Sequence, residues 1–394
     1  MGEERGHMHI FWWSNAPWVS TGYGTQTKVN VPRIKALGHK VTLGANYGLS
    51  GAVLNLGNDE AIYPLGLDRS GNDVLGAHAA HCGADIVITL YDSWAFRPNA
   101  TSGIRWCPWA PVDHEPIPGP VRQALSVAWQ PIAYSRFGQR EMQNAGLDAA
   151  YVPHCLDMNE YTPGDQAESR ERLGLPQDVF VAAMVAANKG TPSRKSFGEV
   201  AQAFRALLDK HDDCILYLHT HRGPEMSGID LEDLLGAVGI PHDKVIFCDP
   251  YHNILGFPTP YMVDVYRSAD VLLSPSMGEG FGLPILEAQA CGCPVIVGDW
   301  TAMPELCFGG WKVGGQRFFT PIGSFQYIPF VGEITDALLE AYGWGREHYS
   351  EQARAGAMAY DADFVAQEYW KPVLASIAER VEAGAEEPEG MVAL

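Results

Sequence analysis

The sequence predicts an α/β protein of two doubly wound, Rossmann-like domains that face each other across a cleft. Short apolar runs of strand length alternate with amphipathic runs of helical period along most of the chain. This order is typical of a parallel sheet covered by helices on both faces. The length of 394 residues suits two domains. A polar stretch with prolines at 159–177 interrupts the alternation and predicts the linker.

The first half of the chain opens with an apolar strand at 9–13 and a loop at 14–24 rich in Gly, Ser, Pro and Thr. A helix is predicted over 25–37, where Gly38 is a suitable C-cap. Ser135 is a suitable N-cap for a second helix over 136–145, closed by Gly146. Further strands are predicted at 39–43, 85–90, 104–110, 131–134 and 151–155.

The second half opens with a continuous apolar run at 179–187, which predicts a buried strand. A helix over 196–210 follows, with apolar residues at helical spacing. The remaining predicted strands are 214–219, 245–248, 271–274 and 294–297, and the remaining predicted helices are 230–238, 261–268, 284–291, 333–342 and 364–382.

Four regions are expected from this order. Residues 1–160 are expected to form the first domain and residues 161–345 the second domain. Residues 346–385 are helices expected to pack back on the first domain, and 386–394 are expected to be a disordered tail. The order of strands and helices and the composition at each junction support these bounds.

Composition excludes several classes of protein. With 46% hydrophobic and 19% charged residues the chain is not an intrinsically disordered one. It has no apolar run near the ~20 residues of a membrane span, and its polar N-terminus predicts no secretory signal. The eight cysteines form no Cys-x-x-Cys pair or zinc spacing. We therefore expect reduced thiols, a cytoplasmic location and no integral membrane association.

Charge is unevenly distributed along the chain. The net charge is −20, of which residues 1–160 carry −3 and the remainder −17. An acidic body repels phosphate backbones, so non-specific nucleic-acid binding is not expected. The nearly neutral first part is still compatible with an anionic partner.

The most informative segment runs from 274 to 297, SPSMGEGFGLPILEAQACGCPVIV. A strand is followed by a glycine-rich loop at 278–282, whose backbone N–H groups can approach a ligand closely. Pro284 suits the first turn of a helix, and the N-terminus of that helix favours an anion. Glu279 lies in the loop and Glu287 lies about one turn into the helix. Carboxylates beside an anion site suit a ligand with hydroxyl groups, such as a sugar or ribose.

A second segment places three cations in the acidic half, directly after the strand at 179–187. These are Lys189, Arg194 and Lys195. Cations at this position suit a diphosphate, where they offset the charge of a leaving group. A solvated basic loop is the alternative, and the pattern does not decide which of the three cations reach phosphate.

The segment around Glu279 and Glu287 closely resembles the Glu-x7-Glu region of retaining glycosyltransferases of the GT-B fold, family 4. Further stretches resemble the same family. They are 38–41 (GHKV), 133–138 (AYSRFG), 153–157 (PHCLD), 264–275 (DVYRSADVLLSP) and 302–306 (AMPEL). Asn188, Arg194 and Lys195 resemble the family's Asn…Arg-Lys variant, and Cys155 stands where the family usually has Gly.

The resemblance implies that residues 1–160 form the acceptor-side domain and residues 161–345 the nucleotide-sugar domain. It also implies roles for individual residues. Glu279 would contact the hydroxyls of the donor sugar and act as a catalytic residue, and Glu287 would hold the ribose. The backbone at Gly280, Phe281, Gly282 and Leu283 would meet the sugar or the diphosphate. Gly22 and Gly24, in the loop STGYG at 20–24, would lie over the donor phosphates; a plain glycine turn is the alternative.

Asp113 and His114 are further catalytic candidates in the first domain. They lie in the segment PVDHEP at 111–116, after a predicted strand. A histidine there could hydrogen-bond the donor sugar or the acceptor hydroxyl. A surface turn bounded by prolines is the alternative.

The sequence therefore predicts an enzyme that moves a sugar from a UDP- or GDP-sugar to a hydroxyl acceptor with retention, without a metal or other cofactor. Three alternatives stay open. They are glycosylation of a hydroxylated base in DNA, which is possible but not favoured, a GT-B sugar-nucleotide epimerase, and a non-catalytic sugar-nucleotide-binding protein. The acceptor and the oligomeric state are not predicted.

Overall fold

The computed structural model describes residues 7–57 and 60–384, which divide into two compact units. Among the described residues, the first unit takes in 7–57, 60–156, 321–324 and 360–384. The second comprises Asp157–Thr320 and Phe325–Ala359. Each unit contains its own mainly parallel sheet. The predicted fold class of two doubly wound α/β domains is therefore confirmed.

The first unit is built on an eight-stranded sheet of order β3-β4-β2-β1-β5-β6-β7-β8, in which only the β3–β4 pair is antiparallel. Its strands are β1 (His9–Asn15), β2 (Lys40–Tyr47), β3 (Leu54–Gly57), β4 (Glu60–Tyr63), β5 (Ile86–Leu90), β6 (Trp106–Ala110), β7 (Ile132–Ala133) and β8 (Ala150–Tyr151). Its helices are α1 (Gly22–Ala36), α2 (Leu75–Cys82), α3 (Pro98–Thr101), α4 (Gly119–Leu125), α5 (Arg136–Asn144), α14 (Ala362–Val365) and α15 (Lys371–Glu382).

β1 is central in this sheet because its apolar side chains are buried on both faces. Trp12 and Trp13 are both fully buried. The Trp12 ring packs against Trp109, at 5.9 Å between centroids, and against Trp370, at 5.8 Å. Trp370 also donates from its indole nitrogen to Asn30 Oδ1 at 2.7 Å. These contacts fix the segment around Trp370 against the first sheet.

The second unit is built on a six-stranded, all-parallel sheet of order β11-β10-β9-β12-β13-β14 and a separate hairpin, β15–β16. Its strands are β9 (Phe180–Val185), β10 (Cys214–His219), β11 (Val245–Phe247), β12 (Val271–Ser274), β13 (Val295–Gly298), β14 (Gly310–Val313), β15 (Gly315–Phe319) and β16 (Phe325–Pro329). Its helices are α6 (Gln166–Leu173), α7 (Phe197–Leu208), α8 (Leu231–Val238), α9 (Pro250–Leu255), α10 (Thr259–Ser268), α11 (Leu283–Ala290), α12 (Val331–Trp344) and α13 (Glu347–Ala357).

The pairing of β9 with β12 positions the candidate site. The two strands are parallel neighbours, with Val271 opposite Ala182 and Leu272 opposite Ala183. The loops that follow them therefore leave the same edge of the sheet. This brings the cationic segment after β9 beside the glycine-rich segment after β12.

The predicted linker at 159–177 is wrong in part, because it contains helix α6. This helix has no apolar stripe, and it is fixed instead by hydrogen bonds. Arg170 is buried, pairs with Asp270 at 2.8 Å and donates to the carbonyl oxygen of Ser268 at 3.0 Å. Hydrophobic periodicity does not detect a helix held in this way.

The chain crosses between the units at 156/157, where we predicted 160/161. Residues 346–359 lie in the second unit and not with the following helices. Arg346 explains this: its guanidinium is buried and donates to the carbonyl oxygens of Tyr266 at 3.0 Å and Cys291 at 2.7 Å.

The long helix predicted over 364–382 is divided into α14, a π-helical turn Ala366–Trp370 and α15. The expected tail at 386–394 lies outside the described residues. No helix in the part of the chain described here is long and apolar enough to span a bilayer.

Candidate functional site

The glycine-rich loop at 275–282 connects β12 to α11 and presents backbone N–H groups at the start of that helix. Gly282 is the N-cap of α11 and has φ of +103°, a conformation that favours glycine. Pro284 lies in the first turn, as predicted. Phe281 and Glu279 are 5% and 7% exposed, so the loop is largely buried. Its fixed shape can bring Gly280, Phe281, Gly282 and Leu283 close to a ligand.

Glu279 lies in a cluster with both of the cations predicted for phosphate. The Lys195 ammonium contacts Glu279 Oε1, and Arg194 Nη1 lies 3.6 Å from Glu279 Oε2. Burial alone would raise the pKa of Glu279, but Lys195 and then Arg194 outweigh it and lower the pKa to about 2. One carboxylate between two cations leaves this cluster with a net positive charge.

The backbone around Glu279 is fixed by two neighbouring segments. The Glu279 N–H donates to Thr301 Oγ1 at 3.1 Å. The Tyr327 N–H, on β16, donates to the carbonyl oxygen of Met277 at 3.1 Å. The Trp300 ring stacks on the Tyr327 ring at 5.0 Å and donates to the carbonyl oxygen of Ser276 at 3.0 Å. Rigid elements therefore hold the loop in place.

Glu287 has a different environment, although it lies on the adjoining helix. Tyr266 donates to Glu287 Oε2 at 2.5 Å, and Tyr161 donates to Glu287 Oε1 at 3.4 Å. Burial raises the pKa of Glu287, and the two phenol hydrogen bonds oppose that rise without cancelling it. Glu287 thus accepts from hydroxyl groups, which is the kind of contact predicted for it with a ribose.

The segment after β9 divides into a structural part and a charged part. Asn188 is fully buried, and its amide donates to the carbonyl oxygens of His221, Gly223 and Ile229. Its carbonyl oxygen accepts from the Ile229 N–H at 3.0 Å. Asn188 therefore holds the 221–229 segment in place. Lys189 is exposed and has no ion pair within the described residues, so the structure does not bring it into the Glu279 cluster.

Gly22 and Gly24 lie in the first turn of α1, and not in the loop that we predicted over 14–24. The helix begins there because Thr21 is its N-cap and its hydroxyl accepts from the Gly24 N–H at 3.1 Å. A Cβ at Gly24 would lie 2.3 Å from the carbonyl oxygen of Val19. This close approach explains the glycine at 24 without a ligand.

Asp113 and His114 form a hydrogen-bonded pair in the first unit. Asp113 Oδ1 lies 2.7 Å from His114 Nδ1. The His114 side chain is mostly buried, at 11% exposure, whereas Asp113 is half-buried, at 32%. A carboxylate on Nδ1 fixes the orientation of the imidazole ring and supports a proton on Nδ1.

Sequence reasoning missed Tyr161, Tyr266 and Thr301, which contact the two glutamates. Tyr266 lies in the segment 264–275 that resembles the family, so that stretch already carried a signal for it. Tyr161 lies in the stretch interpreted as a linker, and the role of Thr301 depends on a loop brought in by the fold.

The second unit is similar in sequence to known glycosyl transferases. Residues 179–321 match the profile described as "Glycosyl transferases group 1". The D-inositol 3-phosphate glycosyltransferase of Geodermatophilus obscurus is 36% identical over 152 residues, which is 37% of this chain and 31% of that protein. The Actinosynnema mirum protein of the same name is 30% identical over 233 residues, 52% of this chain and 54% of that protein. The chain thus matches about a third to a half of the length of these relatives.

Solved structures share the fold across nearly the whole chain. Sucrose-phosphate synthase from Thermosynechococcus elongatus has a TM-score of 0.73 at 16% identity, covering 96% of this chain and 100% of that one. Anabaena HepE, solved in complex with UDP and glucose, has a TM-score of 0.66 at 16% identity with the same coverage. These likenesses confirm the GT-B fold class. The part of the chain that holds Glu279 and Glu287 is therefore similar in sequence to the glycosyl transferases group 1, and the chain as a whole has the GT-B fold.

Proposed function

We propose that this chain is a retaining glycosyltransferase that moves a sugar from a nucleotide diphosphate sugar to a hydroxyl acceptor. The observation that carries the proposal is the cluster of Glu279, Arg194 and Lys195 at the start of α11. It combines a carboxylate that can accept from sugar hydroxyls with two cations suited to phosphate. The matching group 1 profile covers all three residues.

The cluster supports a specific role for each of its groups. Arg194, Lys195 and the backbone N–H groups at the start of α11 bind the diphosphate. Glu279, ionised because its pKa is about 2, then accepts from hydroxyls of the donor sugar. Glu287 accepts from the ribose hydroxyls.

The transfer step breaks the bond between the anomeric carbon and the diphosphate oxygen and forms a bond from the acceptor oxygen to the same face of that carbon. The acceptor proton passes to the leaving phosphate oxygen. The cations and the start of α11 stabilise the charge that develops on the diphosphate. In this scheme no metal is needed, because fixed positive groups supply what a divalent ion supplies in other transferases.

The donor that we propose first is a UDP-sugar, and a GDP-sugar is the second choice. HepE, which has the same fold, was solved with UDP and with UDP-glucose. For the acceptor we propose a hydroxyl compound that the pair Asp113 and His114 contacts. The eight cysteines are free thiols, which supports a cytoplasmic location.

A thermal-shift panel of UDP- and GDP-sugars tests the donor, because a ligand of the folded state raises the melting temperature. Nuclear magnetic resonance of the anomeric proton during turnover with a soluble acceptor tests retention. We expect one nucleotide sugar to stabilise the protein and to yield a product with the donor's anomeric configuration.

Other results distinguish the alternatives. No stabilisation by any nucleotide sugar would overturn the proposal. A protein that a nucleotide sugar stabilises, but that neither transfers the sugar nor slowly hydrolyses the donor, would be a binding protein. Release of a free epimerised sugar would identify an epimerase. Transfer only to DNA that contains hydroxylated bases would identify the base-modifying activity.

A further inference from the structure

The turn Ser193–Ser196 contains two buried hydroxyl groups that have no role in the proposed function. Ser196 is fully buried and Ser193 is 8% exposed. Neither hydroxyl has a hydrogen-bond partner among the described residues. A buried polar group without a partner is destabilising, and native structures contain few of them. Two such groups within four residues require an explanation.

Ser196 also has an unfavourable backbone conformation. Its φ is +61°, in the left-handed region that residues other than glycine rarely adopt. It occupies the N-cap position of α7, yet its side chain makes no capping hydrogen bond. Glycine would fit this backbone better. Ser196 therefore destabilises the folded state in two ways, because its φ is positive and because its buried hydroxyl makes no hydrogen bond within the described residues. Such costs often mark a functional position.

The two hydroxyls flank the cations of the Glu279 cluster. The Ser196 N–H donates to the carbonyl oxygen of Ser193 at 3.0 Å, which closes the turn and leaves Arg194 and Lys195 in its middle. The Met277 N–H donates to the carbonyl oxygen of Arg194 at 2.8 Å, so the turn is fixed to the glycine-rich loop. The hydroxyls, the two cations and the start of α11 thus belong to one small region.

We propose that Ser196, assisted by Ser193, is a ligand of the diphosphate and donates its hydroxyl to a phosphate oxygen. A hydroxyl donor in the same turn as two cations suits an anionic oxygen acceptor. This inference rests on the proposed function in one respect only, namely that the natural ligand is a nucleotide sugar. The phosphate site itself can be measured without any transferase activity.

The test compares Ser196→Ala and Ser196→Gly with the wild type by calorimetric titration of UDP, uridine and inorganic pyrophosphate. Alanine removes the hydroxyl but leaves the cost of the positive φ in place. Glycine removes the hydroxyl and the cost of the positive φ. We expect each variant to weaken the affinity for UDP and pyrophosphate by about tenfold, because hydrogen bonds to charged groups are strong. We expect no change for uridine, and for Ser196→Gly a melting temperature higher by about 2–4 °C.

Ser227→Gly is the matched control. Ser227 has a φ of +60° in the same unit, but its side chain is exposed. We expect this variant to raise the melting temperature and to leave pyrophosphate affinity unchanged. Ser193→Ala should weaken pyrophosphate binding less than Ser196→Ala does.

Four results separate the outcomes. Unchanged UDP and pyrophosphate affinity in both Ser196 variants would overturn the inference, as would equal losses for uridine and UDP. A wild type that binds neither UDP nor pyrophosphate would overturn it as well. Pyrophosphate binding that depends on Ser196, in a protein that binds no nucleotide sugar, would overturn the proposed function and leave the phosphate site established.

Discussion

Lys195 and Glu279 are 84 residues apart in the sequence and form an ion pair at the mouth of the glycine-rich loop. Their contact links the carboxylate predicted for the sugar to a cation predicted for the diphosphate. The two predicted functions therefore share one cluster of charges. The predictions below test the contributions of the carboxylate and of the cations separately.

Replacing Glu279 by Gln should abolish transfer and leave the affinity for the nucleotide nearly unchanged. The variant removes the acceptor for the sugar hydroxyls but keeps the shape of the side chain, so the loss should appear in kcat and not in the nucleotide Kd. Steady-state kinetics and titration with UDP measure the two quantities. Glu171→Gln, at an exposed position on α6, is the control. A Glu279→Gln enzyme with more than half of the wild-type turnover would contradict the assigned role.

Glu279 should also make folding stability depend on acidic pH. Its pKa falls from 4.5 to about 2 on folding, so its ionised form stabilises the native state above the unfolded pKa. That contribution is lost as the pH falls toward 2. We expect the difference in unfolding free energy between wild type and Glu279→Gln to shrink by about 2 kcal/mol from pH 6 to pH 3. Urea titrations at several pH values measure it, and a constant difference would argue against the ion pairs.

Glu287 should behave in the opposite way, because burial raises its pKa on folding. The folded state then binds more protons than the unfolded state, so stability from this group is lost as the pH rises through the folded pKa. We expect Glu287→Gln to be at least as stable as the wild type at pH 8 and to bind UDP less tightly. Thermal melts at pH 5 and pH 8 check the sign. A variant that is less stable than the wild type only at pH 8 would contradict it.

Removing Arg194 and Lys195 together should weaken diphosphate binding far more than nucleoside binding. Hydrogen bonds to charged groups are worth roughly 1.5–3 kcal/mol each, so we expect more than a tenfold rise in the Kd for UDP. Titration of the Arg194→Ala, Lys195→Ala variant with UDP and with uridine compares the two. Lys210→Ala, an exposed change in the same unit, is the control. Equal losses for both ligands would show that these cations act elsewhere.

Much of this site could be predicted from the sequence because its determinants are local. The glycine loop, Pro284 and both glutamates lie within a few residues of each other, and the apolar runs at 214–219 and 271–274 predict β10 and β12 with both bounds correct. The predicted roles of the site residues stay predictions until they are measured.

The features that were missed depend on contacts between distant residues. Helix α6 is held by Arg170 and Asp270, and the hairpin β15–β16 supports the glycine loop through Tyr327. Asn188 resembles a phosphate-binding position, but its hydrogen bonds to the 221–229 segment show a structural role. A sequence pattern shows which residue type stands at such a position, but it does not show which distant residue that side chain contacts.

The last prediction concerns divalent metals. In the proposed mechanism Arg194, Lys195 and the start of α11 stabilise the leaving diphosphate, so activity should not need a metal ion. We expect the initial rate with UDP-sugar to be unchanged in excess EDTA and unchanged again when Mg²⁺ or Mn²⁺ is restored. The Arg194→Ala, Lys195→Ala variant is a sharper test, since a metal could partly replace the lost cations there and raise its residual rate. A wild-type activity that disappears with EDTA and returns with Mg²⁺ would overturn the metal-free mechanism. It would not overturn the assignment of the Glu279 cluster to the donor, which the binding experiments above test separately.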